Sequence, residues 1–363
     1  MVIVGRIKFV ECACNYKGIC PRGKEIKMKI GIITQPLLNN YGGVLQNYAL
    51  QETLRKMGYE PITIDYIPPR KSLLRYFVVV LKTLILNLAG KKKPFPKREL
   101  FCRKQQFESF VCEKINKTLT VNSYDGCGDC FGIDCFVVGS DQVWRPLYNG
   151  RTIKDMFLNF CEKKDGLKRV AYAASFGVDD WEFSSRLTKD CSLLAKKFDA
   201  ISVREESGIK LCRDYLNVDA SWVIDPTLLL EKEDYCRLCA DVPAKTGVLV
   251  VYVLNMNESI AAACKKIAEE KGLTPRYFGS DSNATLTIPE WLAMFRDASY
   301  VVTDSFHGTV FSIIFEKDFK CFYNQYRGNA RFTSLLNIYH SGKMNEFRIF
   351  SIDWLKNALQ ISV

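Results

Sequence analysis

Short apolar runs recur along the chain, and between them apolar residues repeat every three or four positions. Most runs end in a turn of small and polar residues. This is the pattern of strands alternating with amphipathic helices. Met28-Lys-Ile-Gly-Ile-Ile-Thr34 reads as a first strand, Asn39-Asn40-Tyr41-Gly42-Gly43 as a turn, and Leu50, Leu54 and Met57 as one face of a helix that stops at Gly58. Pro61 to Tyr66 is then a second strand, which completes a βαβ unit. Further strands are expected at Asp134 to Val138, Arg169 to Ser175, Ala200 to Val203 and Trp222 to Ile224, with helices over 71–90, over 98–116 and up to Leu216. After Asp225-Pro226 the scheme repeats in shorter form: strands at Val248 to Leu254, Thr274 to Phe278, Tyr300 to Thr303 and Phe319 to Tyr323, with helices at Ser259 to Lys271 and Pro289 to Asp297. A polar loop with Arg327, Asn329 and Arg331 follows, then a short helix near Trp354 to Leu359.

The fold class expected is α/β, two doubly wound Rossmann-like domains facing across a cleft. Residues 28–225 form the first domain and 226–340 the second, with an extension at 1–27 and a tail at 341–363. The length of 363 residues suits two domains. Met28 is a candidate for the true start.

The stretch richest in chemistry is 299–316. A buried strand ends at Thr303, a helix runs from Gly308 to Phe315, and the turn between carries Asp304, Ser305, His307, Gly308 and Thr309. Such a turn sets backbone N–H groups and a helix N-terminus at the carboxyl edge of a parallel sheet, where an anion is favoured. It reads equally as a helix cap, with His307 a satisfied polar side chain. His307 is one of two histidines. A similar polar turn, Gly139-Ser140-Asp141-Gln142-Val143-Trp144, follows the strand at 134–138. The pattern G-x-G-x-x-G is absent, which argues against a dinucleotide site.

Charge changes the picture locally. Of the net +11, residues 71–104 carry +9, from ten basic side chains against Glu99, and residues 1–29 carry +5. The 71–90 helix has a polar stripe (Lys71, Ser72, Arg75, Lys82, Thr83, Asn87) and a wide apolar face, and Lys91, Lys92 and Lys93 follow. A basic amphipathic helix of this kind suits an anionic membrane surface; a helix packed on the sheet with a solvated basic tail is the other reading. Its aromatic residues are not interleaved with the basic ones, so no nucleic acid partner is expected. No transmembrane run and no signal peptide is legible. The 15 cysteines are scattered, often in apolar segments, and reduced thiols are expected. Cys127-x-x-Cys130 with Cys135 lacks the second pair of a zinc knuckle, as does Cys12-x-Cys14 with Cys20, so no metal is expected.

Five segments in order resemble the polysaccharide pyruvyl transferase family: Asn40-Tyr41-Gly42-Gly43-Val44-Leu45-Gln46, the 139–144 turn, Ala174-Ser175-Phe176-Gly177, Val203-Arg204-Glu205-Glu206-Ser207 and Thr303-Asp304-Ser305-Phe306-His307-Gly308-Thr309. Asp225-Pro226-Thr227 and Asn329-x-Arg331-Phe332 agree with it. The resemblance runs from about 28 to 336. It implies a GT-B-like fold and a transferase that moves a pyruvyl group from phosphoenolpyruvate to a sugar as a cyclic ketal, without a cofactor. The setting implied is capsule or exopolysaccharide biosynthesis on a lipid-linked oligosaccharide acceptor, by a cytoplasmic protein peripheral to the inner face of the cell membrane.

The chemistry assigns expected roles. His307 binds and protonates the donor; Asp141 is the base for the sugar hydroxyl, or else an Asp bonded to its own turn. Ser305, Gly308 and Thr309 hold phosphate, and Arg204 and Arg331 pair with phosphate or carboxylate. Asn40, Gly42, Gly43 and Gln46 face the acceptor, and Trp144 stacks on a sugar or fills the core. The alternative is a nucleotide-sugar-dependent glycosyltransferase of the same architecture, since fold does not fix function. A non-catalytic membrane scaffold is a more distant reading, as is a redox protein using the cysteines.

Overall fold

The computed structural model describes residues 27–69, 73–88, 103–127, 131–162, 164–279, 285–323 and 328–360. The expectations for residues 1–26, for Cys130, for Lys71, for Lys91 to Lys93 and for Arg327 lie outside them.

Two parallel sheets organise these residues. The first holds β1 (Lys29–Ile33), β2 (Glu60–Thr63), β3 (Cys135–Gly139), β4 (Lys168–Ala174), β5 (Ala200–Val203) and β6 (Ser221–Trp222), in the order β2-β1-β3-β4-β5-β6. The second holds β7 (Val248–Tyr252), β8 (Thr274–Phe278), β9 (Ala298–Thr303) and β10 (Phe319–Cys321), in the order β10-β9-β7-β8. Every pairing is parallel. All five residues of β3 and all five of β7 are buried, as central strands covered on both faces require. The strand order reverses between β1 and β3 in one sheet and between β7 and β9 in the other. Each reversal opens a crevice at the carboxyl ends of the strands, where α/β proteins bind ligands.

Two helices serve both sheets. Helix α1 (Tyr41–Lys56) buries residues all round. Its Leu50 and Leu54 pack with Ile30, Ile32 and Val137 of the first sheet, and its Val44 and Leu45 pack with Val250, Trp291 and Val301 of the second half. Thr63 donates to Asn47 Oδ1 at 3.0 Å, and Gln51 donates to Thr63 at 2.7 Å, so its buried amides are anchored to β2.

Between β2 and β3 lie α2 (Leu73–Leu88) and α3 (Gln105–Lys114). Helix α4 (Ser185–Ala195) precedes β5, α5 (Ser207–Leu211) follows it, and α6 (Lys232–Leu238), α7 (Glu258–Lys271) and α8 (Ile288–Asp297) lead through the second half. Their starts follow their sequences. Asn257 caps α7, and Thr287 with Glu290 forms a capping box on α8. Gly272 ends α7 in the left-handed conformation at φ 61°. Helix α9 (Phe306–Ile314) is the second shared element: Phe306 and Val310 join the first-sheet core, and Phe311 joins the other.

Two expectations fail at the C-terminus. Asn329 and Arg331 do not sit in a polar loop but open helix α10 (Ala330–His340). The tail carries not a short helix but the 16-residue α11 (Met344–Leu359). Phe332, Leu335, Ile338, Leu355 and Leu359 all enter the core of the first sheet, so the chain returns there after building the second. The apolar positions of 344–359 are interrupted by Asn345, Glu346, Arg348, Asp353 and Lys356, which hides the periodicity in the sequence.

Leu355 is fully buried at this return. Leu355→Ala is expected to lower stability by about 2–5 kcal/mol, read by urea denaturation, because the sheet beneath it cannot collapse into the space.

Candidate active site

The polar turns at the carboxyl ends of β1, β3, β5, β6 and β9 converge on one buried cluster. Its centre is Asp225, which follows β6 and is 1% exposed. Oδ1 accepts the Thr227 N–H at 3.0 Å and the Thr227 hydroxyl at 2.6 Å, a consequence of the local Asp-Pro-Thr turn. Oδ2 accepts the Ser140 hydroxyl at 3.0 Å and Arg204 Nη1 at 2.7 Å. His307 Nε2 stands 3.8 Å from the same oxygen. That is too long for a hydrogen bond and within ion-pair reach of an imidazolium. Nε2 is buried and has no hydrogen-bond partner among the described residues. Burial pushes the Asp225 carboxyl up, but His307 and the Arg204 guanidinium more than reverse this and hold it well below the usual carboxylate range.

Asp141 lies beside this pair at φ 62°, a left-handed conformation that Asp tolerates. Its Oδ1 accepts the Gln142 N–H at 2.9 Å and lies 3.5 Å from Arg204 Nη2. Its Oδ2 accepts from Asn40 Nδ2 at 3.3 Å, across the reversal between β1 and β3. Asn40 precedes α1 but makes no side-chain cap to it, because its amide is turned to Asp141.

Arg331, from the first turn of α10, is buried beside Arg204. The Phe306 ring centroid lies 4.7 Å from Arg204 Cζ and 5.4 Å from Arg331 Cζ. Burial and then the charge of Arg204 lower the Arg331 pKa to about 10, against Asp141 and Glu205, so it stays cationic at neutral pH. Glu205 Oε1 accepts from the Ser175 hydroxyl at 3.1 Å and from the N–H groups of Phe176 at 2.6 Å and Gly177 at 2.9 Å, which ties the end of β4 to the cluster.

His307 approaches α1 closely. A Cβ on Gly42 would lie 1.9 Å from His307 Nδ1, so any larger residue there must displace the imidazole. The N-termini of α1 and α9 thus meet around one imidazole, and both favour negative charge. Ser305 caps α9 by accepting the Gly308 N–H at 3.3 Å, and Gly308 allows close packing, since a Cβ would lie 2.2 Å from Thr303 Oγ1. The matching crevice of the second sheet is filled: Asp304 accepts the N–H groups of Leu254 at 2.6 Å and Asn255 at 3.0 Å.

The structure therefore brings together His307, Asp141, Arg204 and Arg331, with Ser305, Gly308, Asn40 and Gly42 around them. Gly43 lies at the rim, where a Cβ would be 3.2 Å from Asn40 Nδ2. Three expectations are corrected. Trp144 is fully buried, stacks on Phe157 at 4.7 Å and donates to Met156 O at 2.9 Å, so it fills the core and offers no face to a sugar. Gln46 is fully buried and donates to Thr34 Oγ1 and Gly43 O, both at 2.9 Å, so it braces the turn from within. Thr309 is fully buried with its hydroxyl on Ser305 O and Cys321 Sγ, facing away from the cluster. The sequence reading passed over Asp225, Glu205 and Ser140 as site residues; their signal was their place directly after strands, beside motif residues. Among the described residues no group of His, Cys, Asp and Glu side chains is arranged to hold a metal ion.

The sequence model of the polysaccharide pyruvyl transferase family matches residues 40–326. No curated protein matches the sequence. Solved structures similar in fold include the UDP-GlcNAc 2-epimerase of Neisseria meningitidis bound to UDP-GlcNAc, with TM-score 0.47 at 10% identity, covering 91% of this chain and 100% of that one. A glycosyltransferase of Rickettsia africae follows, with TM-score 0.39 at 10% identity over 93% and 95%. The spinosyn rhamnosyltransferase SpnG has TM-score 0.31 at 10% identity over 91% and 96%. These likenesses are too loose to inform the chemistry.

Gly42→Ala suits a helix by about 0.5–1 kcal/mol but puts a methyl group into the His307 ring. The variant is expected to fold and to shift the His307 ring signals in NMR spectra while those of His340 stay in place. Unmoved His307 signals would show that the imidazole does not lie against α1.

Proposed function

The chain belongs to the polysaccharide pyruvyl transferase family, and we propose that it moves the pyruvyl group of phosphoenolpyruvate onto a sugar as a cyclic ketal. The observation that carries this reading is the meeting of His307, Arg204 and Asp141, from strand-end turns, with Arg331 from the first turn of α10. Phosphoenolpyruvate is an anion with two charged ends, and two buried guanidinium groups with converging helix dipoles suit it.

The steps follow from the donor. His307 gives a proton to C3 while Asp141 takes one from a sugar hydroxyl, whose oxygen bonds to C2. The C2–O bond to phosphate then breaks, and inorganic phosphate leaves with the electron pair and the proton that Asp141 had taken, held by Arg204, Arg331 and the start of α9 at Ser305 and Gly308. A second hydroxyl of the same sugar bonds to C2 and releases its proton, which closes the ketal. Asn40, Gly42 and Gly43 border the acceptor side. Nucleotide-sugar glycosyl transfer, the competing reading, is less well served. The crevice of the second sheet, where a nucleotide would be sought, has its strand-end N–H groups taken by Asp304.

Acceptor-dependent release of inorganic phosphate from phosphoenolpyruvate, with a mass gain on the sugar, is the test. His307→Ala is expected to lower the rate by about 10²–10⁴-fold. A near-normal rate in that variant removes His307 from the chemistry, and consumption of a nucleotide sugar without phosphate release from phosphoenolpyruvate replaces the reading.

The acceptor is lipid-linked in this proposal, and the protein works on the cytoplasmic membrane face. No described helix is long and apolar enough to cross a membrane. Helix α2, however, carries Phe77, Val78, Leu81, Leu84 and Ile85 exposed on one side, while Thr83 is turned inward. A helix packed on the sheet would show the reverse. With the lysine-rich sequence that follows, this face suits insertion among anionic headgroups. Leu81→Asp with Ile85→Asp is expected to weaken binding to phosphatidylglycerol vesicles by about tenfold or more. Unchanged sedimentation with vesicles would count against membrane docking through α2.

A further inference from the structure

The charges of the cluster do not match the donor as they stand. Three carboxylates, Asp141, Asp225 and Glu205, share it with two guanidinium groups: Arg204 lies within electrostatic reach of all three, and Arg331 of Arg204, Asp141 and Glu205. Among the described residues the sum is −1 with His307 neutral. Phosphoenolpyruvate above the pH at which its phosphate is fully ionised carries three negative charges. Bringing it into so buried a site, where charges are poorly screened, favours a further positive charge. His307 is the one imidazole of the cluster, and a neutral imidazole has a ring nitrogen free to take up a proton. Its Nε2 is buried, lacks a hydrogen-bond partner among the described residues and stands 3.8 Å from Asp225 Oδ2. The other charged groups of the cluster are Arg204 and Glu205 from the end of β5, Asp141 from β3 and Arg331 from α10, whereas α1 sets the uncharged Gly42 and its N-terminal dipole against the ring.

We infer that donor binding takes up one proton from solvent, and that Asp225 holds this proton on His307. The inference rests on phosphoenolpyruvate being the donor. Asp225 is then a positioning residue. Its carboxylate is fixed by Thr227, Ser140 and Arg204, so it cannot turn away from the imidazole. The proton gained on binding is the one C3 requires, so the enzyme loads its acid only when the donor is present. No other reactant is needed, since the proton comes from water and returns to it with the second hydroxyl's proton.

The test is titration calorimetry of the full chain with phosphoenolpyruvate alone, at about pH 8, in two buffers of different ionisation enthalpy. The wild type is expected to take up about one proton per donor bound, and its affinity to fall by up to about tenfold per pH unit on the alkaline side. His307→Gln is expected to bind more weakly with uptake close to zero, and Asp225→Asn to lose uptake likewise. Should Asp225→Asn fail to fold, His307→Gln decides alone. Equal heats in the two buffers for the wild type, or uptake that persists in His307→Gln, would overturn the inference while leaving the donor in place. No binding heat at any pH would overturn the donor assignment and the inference with it.

Discussion

Every part of the site leans on the Asp225 carboxylate. Five hydrogen-bonding or ionic groups from four stretches of chain point at its two oxygens: Thr227 twice, Ser140, Arg204 and His307. A buried carboxylate is tolerable only when its charge and lone pairs are met, and removing one partner of such a pair commonly costs about 3–5 kcal/mol. The consequence is geometric. The ends of β3, β5 and β6 are fixed relative to one another through a single side chain, and α9, which belongs to the other half, is added through His307. The Arg204 guanidinium then has its second nitrogen near Asp141, and Asp141 in turn holds Asn40 at the mouth of α1.

The two crevices opened by reversals of strand order have different fates. In the first sheet, the ends of β1 and β3 are bridged by side chains that bond across the reversal: Asn40 donates to Asp141, Thr34 to Ser140 O and Gln35 to Gln142 O. In the second, Asp304 closes the crevice by accepting two backbone N–H groups. An anion there would compete with a carboxylate already in place. The helix that follows Asp304 instead turns its N-terminus toward the first sheet, so the charged cluster gathers between the two sheets. Gly42 permits the approach and Phe306 supplies the surface that carries both arginines.

Strands and turns were legible because a parallel sheet prints short apolar runs followed by small polar residues, and the motifs fell in those turns. The direction of each side chain was not legible. Trp144, Gln46 and Thr309 sit within motif segments as plausibly as Asp141 or His307, yet each faces inward, since a turn of six residues has both an inner and an outer side. Asp225 was hidden by its partners, which lie 85, 21 and 82 positions away along the chain at Ser140, Arg204 and His307. The return of α10 and α11 to the first sheet was obscured for another reason. These helices bury scattered residues between charged ones, and only the sheet they cover explains which face is which.

The basic segment is not independent of this site. Its chain leaves after β2 and comes back at Arg103, whose guanidinium bonds Asp65 Oδ1 at 2.7 Å and whose Nε donates to Leu37 O at 2.8 Å. Lys104 N donates to Leu38 O at 3.0 Å. The Arg103 bond thus joins the returning chain to the buried Asp65 carboxylate just after β2, which Lys117 also meets at 2.9 Å. Leu37 and Leu38 lie just before Asn39 and Asn40. The described ends of this segment are therefore held beside the turn that leads through Asn40 into α1.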